Sequence, residues 1–209
     1  MANQRTGAYG TYFGSFYNES SSLSEAEMKV NAIYIYEFFF QQGWTVNAMA
    51  GILGNMQAES ALNPGRWQSE NVGNTSGGYG LVQWTPATNY LNWCTAASIS
   101  DPSEMDANLT RIMYEMDNGL QWIATDAYPL SFSEFSKSTE SPSYLASAFL
   151  KNYERAGVEV EATRQVNAES WYAYLTSGAV PEIPGQQPEK KKKKGYNFVL
   201  FNRQRKAIR

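Results

Sequence analysis

The chain has 209 residues, with no histidine and a single cysteine, Cys94. These counts exclude imidazole acid–base chemistry, Ser-His and Cys-His nucleophilic pairs, disulfide frameworks and zinc knuckles. Residues 1–189 carry 8 basic and 20 acidic residues, whereas residues 190–209 carry 9 basic and no acidic ones. Any chemistry therefore falls to carboxylates, hydroxyls, amides or tyrosines of the acidic part, and neither a cofactor nor a metal site is expected.

Start and stop signals predict two helices early in the acidic part. Ser24-Glu-Ala-Glu27 is a capping box, and Gly43 follows the helix that it opens. Thr45 can cap the next helix, in which apolar residues recur every four positions until Glu59. The sequence thus predicts a helix that is rich in small and apolar residues and ends at a lone carboxyl, Glu59.

Three later helices are each predicted from a capping side chain followed by proline at the first helical position. The pairs are Thr85-Pro86, Asp101-Pro102 and Ser141-Pro142. Gly119 and Gly157 are predicted to end the latter two helices, and a last helix is expected over residues 161–175.

The segment from residue 66 to residue 84 is rich in glycine, asparagine and aromatic residues, and Gly77-Gly78 is a candidate hairpin turn. The predicted fold class is therefore α+β, mainly α, with a small antiparallel β-region after the helix that ends near Glu59. No apolar stretch approaches the roughly 20 residues of a membrane span, so none is expected.

Composition divides the chain further. Residues 177–189 are rich in proline and glycine and are predicted to be a linker. They separate a domain over residues 24–176, preceded by an extension of residues 1–23, from a basic tail of residues 190–209.

Glu59 is a candidate functional residue because of its position at the end of the predicted helix. Asn63-Pro64-Gly65 cannot continue the helix, so the carboxyl lies at the negative end of a helix dipole and, by spacing, beside apolar side chains. Both surroundings favour the protonated form, which can give a proton to a leaving oxygen in glycoside cleavage. The alternative is an ordinary solvated glutamate at a frayed helix end.

Two motifs carry a resemblance that bears on this choice. "MQAESALNP" followed by "GGYGLVQWTP" is similar to the signature of goose-type lysozymes and lytic transglycosylases. The longer stretches "GWTVNAMAGILGNMQAESALNPGRWQ" and "GNTSGGYGLVQWTPATNYLNW" resemble the phage tail lysozyme family, the tail-knob wall hydrolases of small podoviruses that infect Gram-positive bacteria. The resemblance covers about residues 25–175.

This resemblance implies a lysozyme-like catalytic domain over residues 24–176 that hydrolyses the glycan backbone of peptidoglycan between N-acetylmuramic acid and N-acetylglucosamine. It implies a place at the phage tail tip and action on the bacterial wall. Two alternatives stay open: a lytic transglycosylase acting on the same bond, and a non-catalytic wall-binding or structural tail protein.

The resemblance also implies roles for individual residues. Glu59 takes the place of the catalytic acid, and Ser60 that of an orienting hydroxyl. The remaining candidate substrate contacts are Asn74, Tyr79, Val82, Gln83 and Tyr153, the last being the tyrosine expected to approach the acid. Gln83 could instead satisfy backbone groups, and Tyr153 could be an ordinary core aromatic.

A second carboxylate is not evident. Glu70 is a candidate to activate a water, with Thr75, Asn71 or Asn74 as other water-positioning residues. An acid from further along the chain is the remaining alternative. Trp67 and Trp84 could stack on sugars, although aromatic residues are more often part of the core.

The basic tail joins five lysines to the apolar segment Tyr196–Phe201. This combination favours docking onto another phage tail protein by β-strand addition, and nucleic acid is the less favoured partner.

Overall fold

The computed structural model describes residues 1–6, 14–155 and 160–178. Over these residues the protein is mainly helical with one two-stranded antiparallel sheet, which confirms the predicted fold class. The strands and helices are β1 (Asn3–Thr6), β2 (Gly14–Tyr17), α1 (Glu25–Gln41), α2 (Val46–Ser60), α3 (Thr88–Ala96), α4 (Met105–Asp117), α5 (Phe132–Lys137), α6 (Pro142–Phe149) and α7 (Glu161–Thr176). A 3₁₀ turn (Gln68–Glu70) and a π-helical turn (Leu150–Glu154) are also present.

Helices α1, α2 and α6 begin where the sequence predicts. In the capping box of α1, the Ser24 hydroxyl accepts from the Glu27 amide, and the Glu27 carboxylate accepts from the Ser24 amide. Thr45 and Ser141 cap α2 and α6 through their hydroxyls. Each cap satisfies a backbone N–H that the first helical turn leaves unpaired.

Two other predicted helix starts are wrong, because the capping side chains make local turns instead. The Thr85 hydroxyl donates to the Gln83 carbonyl at 2.8 Å, and α3 begins only at Thr88. The Asp101 carboxylate accepts from the backbone N–H of Ser103 at 2.9 Å, and α4 begins after Glu104. Position 157, predicted to end a helix, lies outside the described residues.

The sheet lies at the N-terminus, within the predicted extension. Strands β1 and β2 pair from Asn3 opposite Tyr17 to Thr6 opposite Gly14. The buried Asn31 of α1 accepts from the Phe16 amide at 2.7 Å and donates to the Phe16 carbonyl at 2.8 Å. Strand β2 is therefore attached to α1 by both backbone groups of one residue.

The segment after α2 contains isolated bridges in place of strands. Tyr79 bridges to Trp67 on one side and to Trp84 on the other. The tight turn is residues 80–83 rather than Gly77-Gly78, because Tyr79 and Trp84 exchange backbone hydrogen bonds of 3.0 and 3.2 Å across it. Gly80 has φ +81°, and a Cβ there would lie 2.6 Å from a buried asparagine oxygen, so only glycine fits.

Helix α2 runs through the core and packs against α6 and α7. Its two glycines allow this close packing. A Cβ at Gly51 would lie 2.9 Å from the Leu145 Cβ on α6, and a Cβ at Gly54 would lie 2.5 Å from the Arg164 carbonyl oxygen on α7. The approach at Gly54 carries Arg164 to the end of α2, where Glu59 lies.

The predicted division into extension, domain, linker and tail stays a prediction. Residues 179–209, which include most of the linker and the whole basic tail, lie outside the described residues. In the described ranges, no helix combines the length and the apolar character that crossing a membrane requires.

Candidate functional site

A cavity of about 580 Å³ lies where the end of α2 meets the 80–83 turn, α4 and the π-helical turn. Its volume is within the range of small-molecule sites. The charged and aromatic part of its lining consists of Glu59, Glu115, Glu154, Arg111, Arg155, Trp84 and Tyr153. Three carboxyl groups from distant parts of the chain therefore share one cavity.

Glu59 lies in the last turn of α2, as the sequence predicts. The chain leaves the helix at Ala61, which has a left-handed φ of 55°. The Glu59 side chain is 21% exposed, compared with 5% for Glu115 and 6% for Glu154. Glu59 is thus the carboxyl that a ligand in the cavity would meet first.

Glu59 and Glu154 share one cation, Arg164 of α7. The Arg164 Nη2 donates to Oε1 of Glu59, and its Nε and Nη2 both lie 3.2 Å from Oε2 of Glu154. The guanidinium is itself buried. Helix spacing predicts only apolar neighbours for Glu59. The cation Arg164 was not predicted, and it reaches Glu59 because α7 packs closely against Gly54.

Glu154 is the most perturbed carboxyl of the group. Its pKa is raised to about 8, with burial as the largest cause; the charge of Glu59 acts in the same direction, and Arg164 opposes both. Its Oε1 is buried and has no hydrogen-bond partner among the described residues. Both the burial and the unpaired oxygen favour the protonated form of Glu154.

Glu115 of α4 forms a separate network on the other wall. Its Oε2 accepts from Trp84 Nε1 at 3.0 Å and from the Tyr153 hydroxyl, and its Oε1 accepts from Arg111 Nε at 2.8 Å. Each oxygen is thus occupied by donors from other side chains. This carboxyl is held in one orientation.

Tyr153, expected to approach Glu59, lines the cavity, and its hydroxyl contacts Glu115 instead. It donates to Glu115, and the ring stacks on Phe149 with the centroids 4.6 Å apart. Burial, followed by the neighbouring charge of Glu115, raises the Tyr153 pKa well above its usual range. The hydroxyl is therefore a neutral donor that orients Glu115.

The 80–83 turn supplies two of the predicted contacts. Val82 and Gln83 both line the cavity. The Gln83 side-chain amide also donates to the Arg66 and Gly80 carbonyls at 3.2 and 2.9 Å, so it satisfies backbone groups as the alternative interpretation expected. Trp84 lines the cavity with its indole stacked on a core tyrosine rather than free.

Ser60 lies behind the cavity and connects the helix to the turn. Its buried hydroxyl lies 3.1 Å from the Met56 carbonyl and 3.0 Å from the Leu81 carbonyl. The motif serine therefore fixes the position of the 80–83 turn relative to the end of α2. Ser60 itself is not part of the cavity lining.

The other predicted site residues are not part of the cavity lining. Glu70 is exposed and lies 3.8 Å from Arg66, and Thr75 is exposed. Asn74 accepts from the Ser76 amide within its own loop. Tyr79 is buried against the ring of Trp67, and burial raises its pKa above the usual range.

Sequence reasoning missed Glu115, Glu154, Arg111 and Arg164 as members of the site. It left open an acid from further along the chain, and two are present. Glu154 had a local signal, since it directly follows Tyr153 in the motif "NYERAG". Arg164 had none, because its role depends on contact between α2 and α7.

Residues 30–175 match the family described as phage tail lysozyme. Since this match covers more than half of the chain, the protein belongs to the phage tail lysozyme family. It is a lysozyme-like phage tail protein, and the resemblance noted in the sequence is confirmed.

A protein of a Bacillus phage is similar to this chain and supports the same assignment. Over 161 residues the chain is 48% identical to the protein named Morphogenesis protein 1 of Bacillus phage B103. The matched region is 77% of this chain and 43% of that protein. The chain thus spans less than half the length of this relative, and both findings support a virion component.

Proposed function

We propose that the cavity cleaves the glycan backbone of peptidoglycan between N-acetylmuramic acid and N-acetylglucosamine, with Glu59 as the general acid. The observation that carries this proposal is the position of Glu59. It ends α2 within the family motif and is the only one of the three cavity carboxyls with appreciable exposure. General acids of this kind act on the leaving oxygen of a glycosidic bond.

The chemistry follows from this position. The bond from the sugar C1 to the leaving oxygen breaks, its electron pair stays on oxygen, and Glu59 gives that oxygen a proton. Arg164 holds the Glu59 carboxyl in a fixed orientation. The cleft is completed by Val82 and Gln83, which lie against the same cavity and are proposed substrate contacts.

We propose water as the attacking group, which makes the reaction a hydrolysis. Polar side chains of Thr85, Asn89 and Gln121 line the cavity and can hold a water. Glu70 and Thr75, the candidates from sequence, are less suited because they lie outside the lining. Glu115 contributes a fixed negative charge that favours the positive charge developing on the sugar ring.

One observation favours a different product. The oxygens of Glu115 are occupied by Trp84, Tyr153 and Arg111, which leaves this carboxyl poorly placed to take a proton from water. Cyclisation by the sugar's own hydroxyl requires only one acid–base carboxyl. A lytic transglycosylase is therefore the second candidate.

The proposed setting is the virion, with the enzyme carried on the tail tip and acting on the wall during entry. The basic residues 190–209 are the proposed contact to another tail protein, and they lie outside the described residues.

The first prediction compares Glu59→Gln with Glu70→Gln. Glu59→Gln should lower the clearing of purified Gram-positive cell walls by about two to four orders of magnitude, because the amide cannot supply a proton. It should stay folded, since Arg164 keeps Glu154 as a partner. Glu70→Gln is the matched control, because Glu70 is exposed and outside the cavity, and it should clear walls at the wild-type rate.

The outcomes separate the candidates. Wild-type clearing by Glu59→Gln would exclude Glu59 as the acid, and no clearing by the wild-type protein would favour a wall-binding or structural role. Mass spectrometry of the wild-type products then distinguishes water from the sugar hydroxyl as the attacking group. Products lighter by one water at the muramic acid end would identify a transglycosylase.

A further inference from the structure

We propose that Glu154 stores the proton that Glu59 delivers, and that Arg164 keeps the two carboxyls together as one acid–base pair. This inference rests on the proposed function of Glu59. Glu154 is a positioning residue in this scheme, because it acts on the substrate only through Glu59.

The geometry brings three groups from three elements to one point. Glu59 comes from α2, Glu154 from the π-helical turn and Arg164 from α7. The same Arg164 Nη2 contacts both carboxyls. Two ionised carboxyls and one guanidinium would carry a net charge of −1, and a buried site disfavours an uncompensated charge. One added proton makes the cluster neutral.

The two carboxyls differ in what they can do with that proton. Glu154 has a buried Oε1 without a hydrogen-bond partner among the described residues, so this oxygen can carry a proton without losing an existing contact. Its side chain is only 6% exposed and is poorly accessible to a sugar. Glu59 is accessible. Storage and delivery are therefore divided between them.

The remaining charged groups around Glu154 do not replace Arg164. Arg111 and Glu115 pair with each other on the opposite wall at 2.7 Å. Arg155, the next residue, is exposed and donates to the Gln121 carbonyl at 2.8 Å. Lys151 of the same turn pairs with Glu161 at 3.3 Å. Among the described residues, Arg164 is the only cation within ion-pair distance of Glu154.

The electrostatics agree with this geometry. Burial and, after it, the charge of Glu59 raise the pKa of Glu154, and the guanidinium of Arg164 opposes both. Carboxyls that interact this closely titrate as a pair rather than singly.

The proton balance is closed. As the C1–O bond breaks and its electron pair stays on the leaving oxygen, the one proton of the pair passes from Glu154 to Glu59 and from Glu59 to that oxygen. The attacking hydroxyl forms the new C1–O bond and releases its own proton, which returns to the pair through solvent. No proton is gained or lost over the cycle.

The first test measures the proton directly and does not depend on activity. The side-chain carboxyl of Glu154 is followed by ¹³C NMR during a pH titration of the wild-type protein and of Glu59→Gln. Loss of the Glu59 charge should move the Glu154 midpoint down by at least about one pH unit. Glu70→Gln should leave it unchanged. A Glu154 midpoint that is the same in Glu59→Gln as in the wild-type protein would overturn the proposal.

The second test is the pH profile of wall clearing by Glu154→Gln. Without the stored proton, clearing should fall at least about tenfold at pH 7 and less than about threefold at pH 5, where solvent supplies the proton more readily. An equal loss at both pH values would mean that Glu154 is only structural. If Glu59→Gln is inactive and Glu154→Gln is unaffected at pH 7, the proposed function stands and this inference fails.

Discussion

The two walls of the cavity hold carboxyl groups in opposite ways. On the wall formed by α2, the π-helical turn and α7, two carboxyls share the single guanidinium of Arg164, and one buried oxygen has no described partner. On the wall formed by α4 and the 80–83 turn, one carboxyl, Glu115, has donors from Trp84, Tyr153 and Arg111. On the first wall two carboxyls share hydrogen-bond donors from one side chain, whereas on the second wall one carboxyl has donors from three side chains.

The difference indicates how one cavity can separate proton transfer from electrostatic support. A buried carboxyl with one oxygen unpaired favours its protonated form, because its charged form is poorly compensated. A carboxyl whose oxygens all accept hydrogen bonds keeps a fixed position and a fixed charge. Changes on the first wall should therefore affect protonation, while changes on the second should mainly affect stability.

The largest expected effect is that of Arg164→Gln. Removing the shared cation leaves the buried Glu154 and the partly exposed Glu59 without a counter-ion, and the free energy of unfolding should fall by about 3–5 kcal/mol at pH 7. Chemical denaturation measures it. Arg155→Gln, which removes an exposed cation at the same cavity, is the control and should change it by less than about 0.5 kcal/mol. Equal stabilities of the two variants would mean that Arg164 does not hold the first wall together.

A smaller effect is expected from Tyr153→Phe on the second wall. Glu115 loses one donor and keeps two, which should cost about 1.5–3 kcal/mol of the free energy of unfolding. Wall clearing should fall by less than about tenfold, because the hydroxyl contacts Glu115 and not Glu59. Tyr172→Phe, on a half-buried ring of α7, is the matched control. A loss of clearing as large as that of Glu59→Gln would place Tyr153 in the chemistry itself.

The smallest expected effect is a difference in slope with pH. The folded-state pKa of Glu154 is raised from 4.5 to about 8. Between these values the folded protein binds the proton more tightly than the unfolded chain does. The stabilisation from Glu154 is therefore present below pH 4.5 and is lost as the pH rises towards 8.

Glu154→Gln should remove this contribution. Over the one pH unit from pH 6 to pH 7, the free energy of unfolding of the wild-type protein should fall relative to that of the variant by up to about 1.4 kcal/mol. Thermal or chemical unfolding at a series of pH values measures the difference. A relative gain in wild-type stability with rising pH would contradict the assignment.

Local patterns predicted the parts of the fold that depend on neighbouring residues. The caps at Ser24 and Thr45 and the end of α2 at Glu59 follow from backbone hydrogen bonding within a few positions. The family resemblance pointed to Tyr153 as the tyrosine that approaches the acid, and this residue lines the cavity. Its hydrogen-bond partner, Glu115, was not predicted, because a hydroxyl in a helical turn can point to any of several neighbours.

The remaining parts of the site depend on contacts between distant elements. Arg164 follows Glu59 by 105 positions, and nothing in its own neighbourhood distinguishes it from a surface arginine. Likewise, Thr85 resembles a helix cap until the preceding turn takes its hydroxyl. Isolated bridges of Tyr79 replace the expected hairpin, and the 80–83 turn has φ +81° at Gly80 and φ 50° at Gln83, which depend on the surrounding packing rather than on a local pattern.

The absence of a side chain at Gly54 makes α7 part of the electrostatics of the site. The Arg164 carbonyl oxygen lies 2.5 Å from where a Cβ would stand, so the two helix backbones meet without any flexible group between them. Any local opening of α7 would withdraw the guanidinium from Glu59 and Glu154 at the same time. The acid pair would then lose its counter-ion while the rest of the cavity stayed folded. Activity should therefore be lost under milder conditions than those that unfold the whole protein.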